Sequence, residues 1–199
     1  MPSPPQVHLF MDYQNVHLTA HQQYGIQGAP PHHSLIHPAR FADVIDTNRA
    51  AHHRPGIITQ VFVFRGLPDA TREPDANRRN QAQASQWTRD KRVVVQHRPL
   101  KYPYDWPRDK AREKGVDVLL ATSFVRAAIL HSADVLILAS RDTDLAPALE
   151  LASQVQNPPI IEVCNWAGSG QLRCGTQPQP WCTHLDRNDF LASQDPRQY

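Results

Sequence analysis

Three features of the sequence predict an α/β fold with a mostly parallel five-stranded sheet sandwiched between helices. Short apolar runs of strand length recur along the chain, stretches with helical character separate them, and the runs are apolar enough to be covered on both faces.

Val7-His8-Leu9-Phe10-Met11 is the first such run. A helix over Phe41–Ala51 leads to the second strand, Ile57–Phe64, which is rich in β-branched and aromatic residues. A helix over Glu73–Arg89 precedes a short third strand at Val93–Val95, and a helix over Glu113–Leu130 precedes the fourth, Val135–Leu138. Leu145–Val155 reads as the last crossover helix, Ile160–Val163 as the fifth strand, and Asp186–Ser193 as a short closing helix. Three segments interrupt the pattern: a Pro/His-rich insertion at 25–38, a basic aromatic loop at 98–112, and a Gly/Pro/Gln-rich loop at 165–182. Loops of that length in a compact domain carry function or move. A chain of 199 residues is expected to form one domain, 1–199, around one core.

The charge is nearly balanced, 21 Lys+Arg against 19 Asp+Glu, and that balance conceals an asymmetry. Residues 54–114 hold 14 of the basic and 7 of the acidic residues, a local excess of +7 inside a frame of −5. A basic middle of this kind points to a polyanionic partner. The three cysteines offer no even disulfide framework, and the start Met1-Pro2-Ser3-Pro4-Pro5 lacks the basic and apolar regions of a signal peptide, so a reduced cytoplasmic setting is expected. The longest apolar stretches, Val116–Leu130 and Ala133–Ala139, are interrupted by Asp117 and Arg126 or too short, and no membrane span is expected.

The chemistry lies in acids placed where strands end. Asp12 follows the first strand, and Asp142 and Asp144 follow the fourth in Ser140-Arg141-Asp142-Thr143-Asp144. In a parallel sheet these ends share one edge, where such folds bind ligands. Asp117 starts the helix before the fourth strand; because that helix runs antiparallel to the strands, its first turn faces the same edge, as does Asn15. Four carboxylates together raise one another's pKa unless a cation sits among them, and oxygen-only ligands suit Mg²⁺ or Mn²⁺. The chemistry such a centre serves is attack of water on a phosphodiester. Taken singly, each acid also suits a helix cap or a helix dipole.

These residues carry a resemblance. Phe10-Met11-Asp12-Tyr13-Gln14-Asn15-Val16 and residues 114–150 resemble the NYN domain, a branch of the PIN-like nuclease superfamily, in a strand ending D-x-x-N, a K-x-V-D helix start and a strand followed by S-x-D-x-D. The similarity extends over residues 6–193. It implies a PIN-like three-layer α/β/α sandwich with strand order 3-2-1-4-5 and a divalent-metal-dependent endoribonuclease. In that family the positions of Asp12, Asp117, Asp142 and Asp144 form the acidic site, with Asn15 orienting Asp12 or a water. Two departures stand out: many relatives have glycine where Tyr13 and Arg141 stand, and often another acid where Ser123 stands. An RNA-binding or regulatory module with weak or no turnover is therefore the alternative.

The basic residues fall around that edge. Arg65 follows the second strand, Lys101, Lys110 and Lys114 belong to the loop after the third, and Arg78 and Arg79 lie early in the intervening helix. Together with Arg141 they suit RNA phosphates, and Tyr102, Tyr104 and Trp106 suit stacking on unpaired, single-stranded bases. A homodimer or a protein partner is left open. Cys164, Cys174, Cys182 and His184 lack the paired knuckles of a zinc site, and His32, His33 and His37 read as loop histidines.

Overall fold

A computed structural model describes residues 3–197 and 199 of the chain; Met1 and Pro2, part of the start that lacks signal-peptide character, and Gln198 lie outside the described residues. Strands β1 (Gln6–Asp12), β2 (Ile57–Leu67), β3 (Val93–Pro99), β4 (Val135–Ala139), β5 (Ile160–Trp166) and β6 (Trp181–Leu185) form one sheet in the order β3-β2-β1-β4-β5-β6. Every neighbouring pair is parallel. The expected order 3-2-1-4-5 is present, and β6 extends it by one edge strand. Residues 181–182, expected to be loop, belong to that strand, and the loop proper is 167–180. β3 runs four residues beyond Val95, because Gln96-His97-Arg98-Pro99 pairs with Phe64–Leu67 along the edge of the sheet without needing apolar side chains.

The helices are α1 (Tyr13–Tyr24), α2 (Pro38–Ala51), α3 (Pro74–Trp87), α4 (Val116–Ile129), α5 (Ala146–Ser153) and α6 (Arg187–Ser193). α1 was not expected from sequence: its inward face is Tyr13, Val16, His17, Thr19 and Ala20, too polar for an apolar stripe. Prolines open α2, α3 and α5, at positions where the missing N–H has no intrahelical partner anyway, which accounts for part of the chain's high proline content. α6 begins with a capping box between Asp186 and Asp189.

Two apolar layers clamp the sheet. Val7, Leu9 and Met11 of β1 face Phe41, Ile45, Trp166 and Phe190 in one layer, while Phe10 joins Phe64, Leu120, Phe124 and Leu149 in the other. Both faces of β1 and β4 are covered, and every position of the two strands except Gln6 is buried. Phe10 meets Phe62 at 5.0 Å and Phe124 edge-on at 5.1 Å between ring centres, and burying a side chain of that kind contributes about 1.5–3 kcal/mol. Arg49, 1% exposed, ties α2 to β5 by donating from Nε to Glu162 at 2.8 Å. No helix among the described residues is long and apolar enough to cross a membrane.

This architecture fixes the edge where function is expected. β1 and β4 are adjacent, and the connections leave them toward opposite sides of the sheet, so a crevice opens at their carboxyl ends. α4 starts at that end after Gly115, whose φ of +77° is left-handed and suits glycine.

Candidate acidic site at the carboxyl edge of the sheet

Asp12 ends β1 and caps α1: its Oδ1 accepts from the Asn15 backbone N–H at 3.1 Å. Its Oδ2 accepts from Ser140 Oγ at 2.9 Å, and Ser140 Oγ in turn accepts from the Asp142 N–H at 3.1 Å. Asn15 Oδ1 accepts from the Arg141 N–H at 3.1 Å, so a second bridge joins α1 to the segment after β4. Asp142 caps the 3-10 turn Thr143–Leu145 by accepting from the Asp144 N–H at 2.9 Å. Capping and clustering are thus both true of Asp12 and Asp142.

Burial dominates the electrostatics of Asp12. Only 4% exposed, its carboxyl is pushed up to about 7; its hydrogen bonds to Asn15 and Ser140 oppose the rise, and Asp117 and Glu113 add to it. Asp117, in the first turn of α4, is also raised, by burial and then by Asp142 and Asp144. Glu113 is raised as well, by burial and by Asp117, although its Oε1 accepts from the Gly66 N–H at 2.6 Å.

Asp12, Asn15, Asp117, Asp142, Arg141 and Glu113 all line one cleft of about 340 Å³, while Asp144 is exposed beside it, within electrostatic reach of Asp117. Among the described residues no three His, Cys, Asp or Glu side chains stand close enough to form a ready-made metal shell. The acids share an edge without converging on one point. The donor set nevertheless fits a hard divalent cation: it is all oxygen, and a buried carboxyl held near 7 by its surroundings is relieved by positive charge.

Glu113 went unremarked as a site residue in the sequence. The same positional reasoning that finds Asp117 reaches it, since it lies four residues earlier at the same edge, but its burial depends on its approach to Gly66. Ser140 was visible only as part of its motif, and its position between Asp12 and Asp142 needs the three-dimensional pairing.

The basic residues divide. Arg65 is half-buried: its guanidinium lies 4.6 Å from the Tyr13 ring centre and 5.2 Å from that of Trp87, and it donates to Gln83 Oε1 at 2.8 Å. It opens on a neighbouring cleft of about 560 Å³ that shares Gln14, Leu18 and Glu113 with the acidic one. Arg78 pairs with Asp75 at 2.5 Å. Arg79 faces a different cleft. Lys101, Lys110 and Lys114 are exposed, and Lys101 pairs through its backbone with Arg112, pinching the loop shut at its base. Arg141 donates to Ser169 O at 3.2 Å. Tyr102 is committed to its own loop: its hydroxyl donates to Glu73 at 2.6 Å and accepts from the Asp69 N–H at 2.8 Å, with Arg72 over its ring at 4.8 Å. The open aromatic is Tyr104, fully exposed.

The NYN domain family matches residues 6–156 of the chain. A solved structure of a protein of unknown function from Vibrio parahaemolyticus RIMD 2210633 is similar in fold, with a TM-score of 0.50 at 18% identity over 83% of this chain and 84% of that one. No curated protein matches.

Proposed function

This chain belongs to the NYN domain family of the PIN-like superfamily, and on that premise we propose that it is a divalent-metal-dependent endoribonuclease hydrolysing phosphodiester bonds of single-stranded RNA. NYN domains are generally ribonucleases, and PIN-like nucleases usually use divalent metals. The observation that carries the reading is the cleft shared by Asp12, Asp117 and Asp142, three acids from separate elements gathered at the β1/β4 crevice.

In this reading Asp12, Asp117, Asp142 and Asp144 hold Mg²⁺ or Mn²⁺. The cation supplies Lewis acidity toward a phosphoryl oxygen and makes a nearby water more acidic. The protein's own groups do the rest. Asn15 and Ser140 fix the Asp12 carboxylate through the bonds to its two oxygens, so its geometry is set before substrate arrives. Arg141, Lys101, Lys110 and Lys114 neutralise phosphates flanking the cut, and Tyr104 stacks an unpaired base. Hydrolysis forms one P–O bond from water and breaks the ester P–O bond, leaving its oxygen to take a proton.

A second reading is an RNA-binding module without turnover, favoured by the absence of a ready-made metal shell among the described residues. A metal panel on structured and unstructured RNA separates the two. Cleavage of unstructured RNA in Mg²⁺ or Mn²⁺ that stops in EDTA supports the ribonuclease; retained affinity with no fragments in any metal supports the module.

A further inference from the structure

A cleft of about 820 Å³ lies apart from the acidic one and shares no residue with it. It opens where α3 meets the 3-10 turn Pro31–Ser34, α2 and the C-terminal segment, and Arg40, Arg79, Arg197, His32 and His33 line it. Among the described residues, none of these three arginines has an acid within ion-pair distance. The one acid in the lining, Asp195, is already occupied: its carboxylate accepts from Trp87 Nε1 at 2.8 Å, the Tyr199 hydroxyl at 2.6 Å and the Arg197 N–H at 3.2 Å. Three guanidiniums against one carboxylate leave the concavity positively charged, and its walls focus that field.

This cleft adjoins an intermediate one across a single hydrogen-bonded pair. Gln83 lines the cationic cleft and accepts from Arg65, and Arg65 lines the intermediate cleft of about 560 Å³ that shares Gln14, Leu18 and Glu113 with the acidic site. His17, also in the intermediate cleft, hydrogen-bonds the Pro31 carbonyl at 2.8 Å, immediately before His32. α3 is a common wall, with Asn80 facing the intermediate cleft and Arg79 and Gln83 the cationic one.

We infer that the Arg40–Arg79–Arg197 cleft is a second phosphate-binding subsite, which takes up the continuation of an RNA strand whose scissile bond lies at the acidic edge. The inference rests on the ribonuclease reading for the identity of its ligand. A strand running from the acids past Arg65 would reach the three arginines beyond the Gln83–Arg65 pair, which gives a long strand contacts that a short one cannot reach.

The test is fluorescence anisotropy of a labelled single-stranded RNA hexamer and 20-mer, in EDTA so that no metal-dependent cut shortens them. With Arg40→Gln/Arg197→Gln, affinity for the 20-mer should fall about tenfold and its salt dependence should shallow by about 1.4 in log–log slope, two phosphates at about 0.7 each, while the hexamer changes by less than about twofold. Arg40→Lys/Arg197→Lys should keep most of the 20-mer affinity. Unchanged 20-mer binding in the glutamine pair, equal loss for both lengths, or a lysine pair as weak as the glutamine pair overturns the subsite. If the wild-type protein binds neither oligomer in EDTA, the subsite falls, while cleavage in Mg²⁺ decides the ribonuclease reading separately. If it cuts RNA while the glutamine pair binds the 20-mer normally, only the subsite falls; length-dependent binding lost in the glutamine pair without cleavage in Mg²⁺ keeps the subsite and removes turnover.

Discussion

Ser140 holds Asp12 across the junction of β1 and β4, donating to Oδ2 at 2.9 Å while accepting from the Asp142 N–H at 3.1 Å. One hydroxyl thus sets the orientation of the most buried acid of the site and the backbone of the next, and links two segments 128 residues apart.

Ser140→Ala should therefore act on metal use. Asp12 would keep its Asn15 bond and lose its side-chain partner, destabilising the fold by about 1–3 kcal/mol. The Mg²⁺ concentration for half-maximal cleavage should rise about 10- to 100-fold, as for other residues that orient metal-binding carboxylates, and a metal titration of the cleavage rate measures it.

The raised carboxyl of Asp12 makes metal-free stability depend on pH. Its folded value is about 7 against 3.8 ordinarily, so over that interval the folded state keeps a proton that the unfolded chain has released, and stability is lost as pH rises. Melting in EDTA should occur at lower temperature at pH 7.5 than at pH 5, Mg²⁺ should restore the difference at pH 7.5, and Asp12→Asn should reduce both effects. A melting temperature indifferent to pH and Mg²⁺ would remove the electrostatic basis for a cation there.

Gly66 leaves room for the loop that carries Glu113. An added Cβ would clash with Leu100 Cδ2 and stand 2.8 Å from Glu113 Oε1. Gly66→Ala should destabilise by about 1–3 kcal/mol through overpacking and raise protease sensitivity within residues 98–114, read by limited proteolysis.

Two tyrosines of that loop should behave oppositely. Tyr104→Ala should weaken single-stranded RNA binding about tenfold with no change in melting temperature, since the ring touches solvent alone. Tyr102→Phe should lower stability by about 1 kcal/mol and leave intrinsic stacking affinity little changed, because what it removes is the hydroxyl shared by Glu73 and Asp69.

The elements legible in the sequence are those whose burial is symmetrical. β1 and β4 are covered on both faces and, with the core of β2, read as near-continuous apolar runs. β6 is not legible in this way, because Trp181-Cys182-Thr183-His184-Leu185 alternates between buried and exposed positions at the sheet edge after a Pro-rich loop. α1 escapes notice because His17 and Thr19 stand where an amphipathic helix would carry apolar residues; His17 is held by the Pro31 carbonyl, and burial keeps its pKa down at about 4, in the neutral form. At the site, strand ends locate Asp12, Asp142 and Asp144 without coordinates, since topology alone decides that edge. Residue type does not disclose partners, which is why Arg65 and Tyr102 read as free RNA contacts in the sequence and are found bound to Gln83 and Glu73.

The most direct measurement is the initial rate of single-stranded RNA cleavage against Mg²⁺ concentration for the wild-type protein and for Asp12→Asn, with circular dichroism confirming that both are folded. A metal-dependent ribonuclease built on this edge gives no cleavage in EDTA, a saturable rise with Mg²⁺, and a rate at least about 10²-fold lower in Asp12→Asn. Cleavage that persists in EDTA, or a folded Asp12→Asn variant that cuts at the wild-type rate, would contradict it.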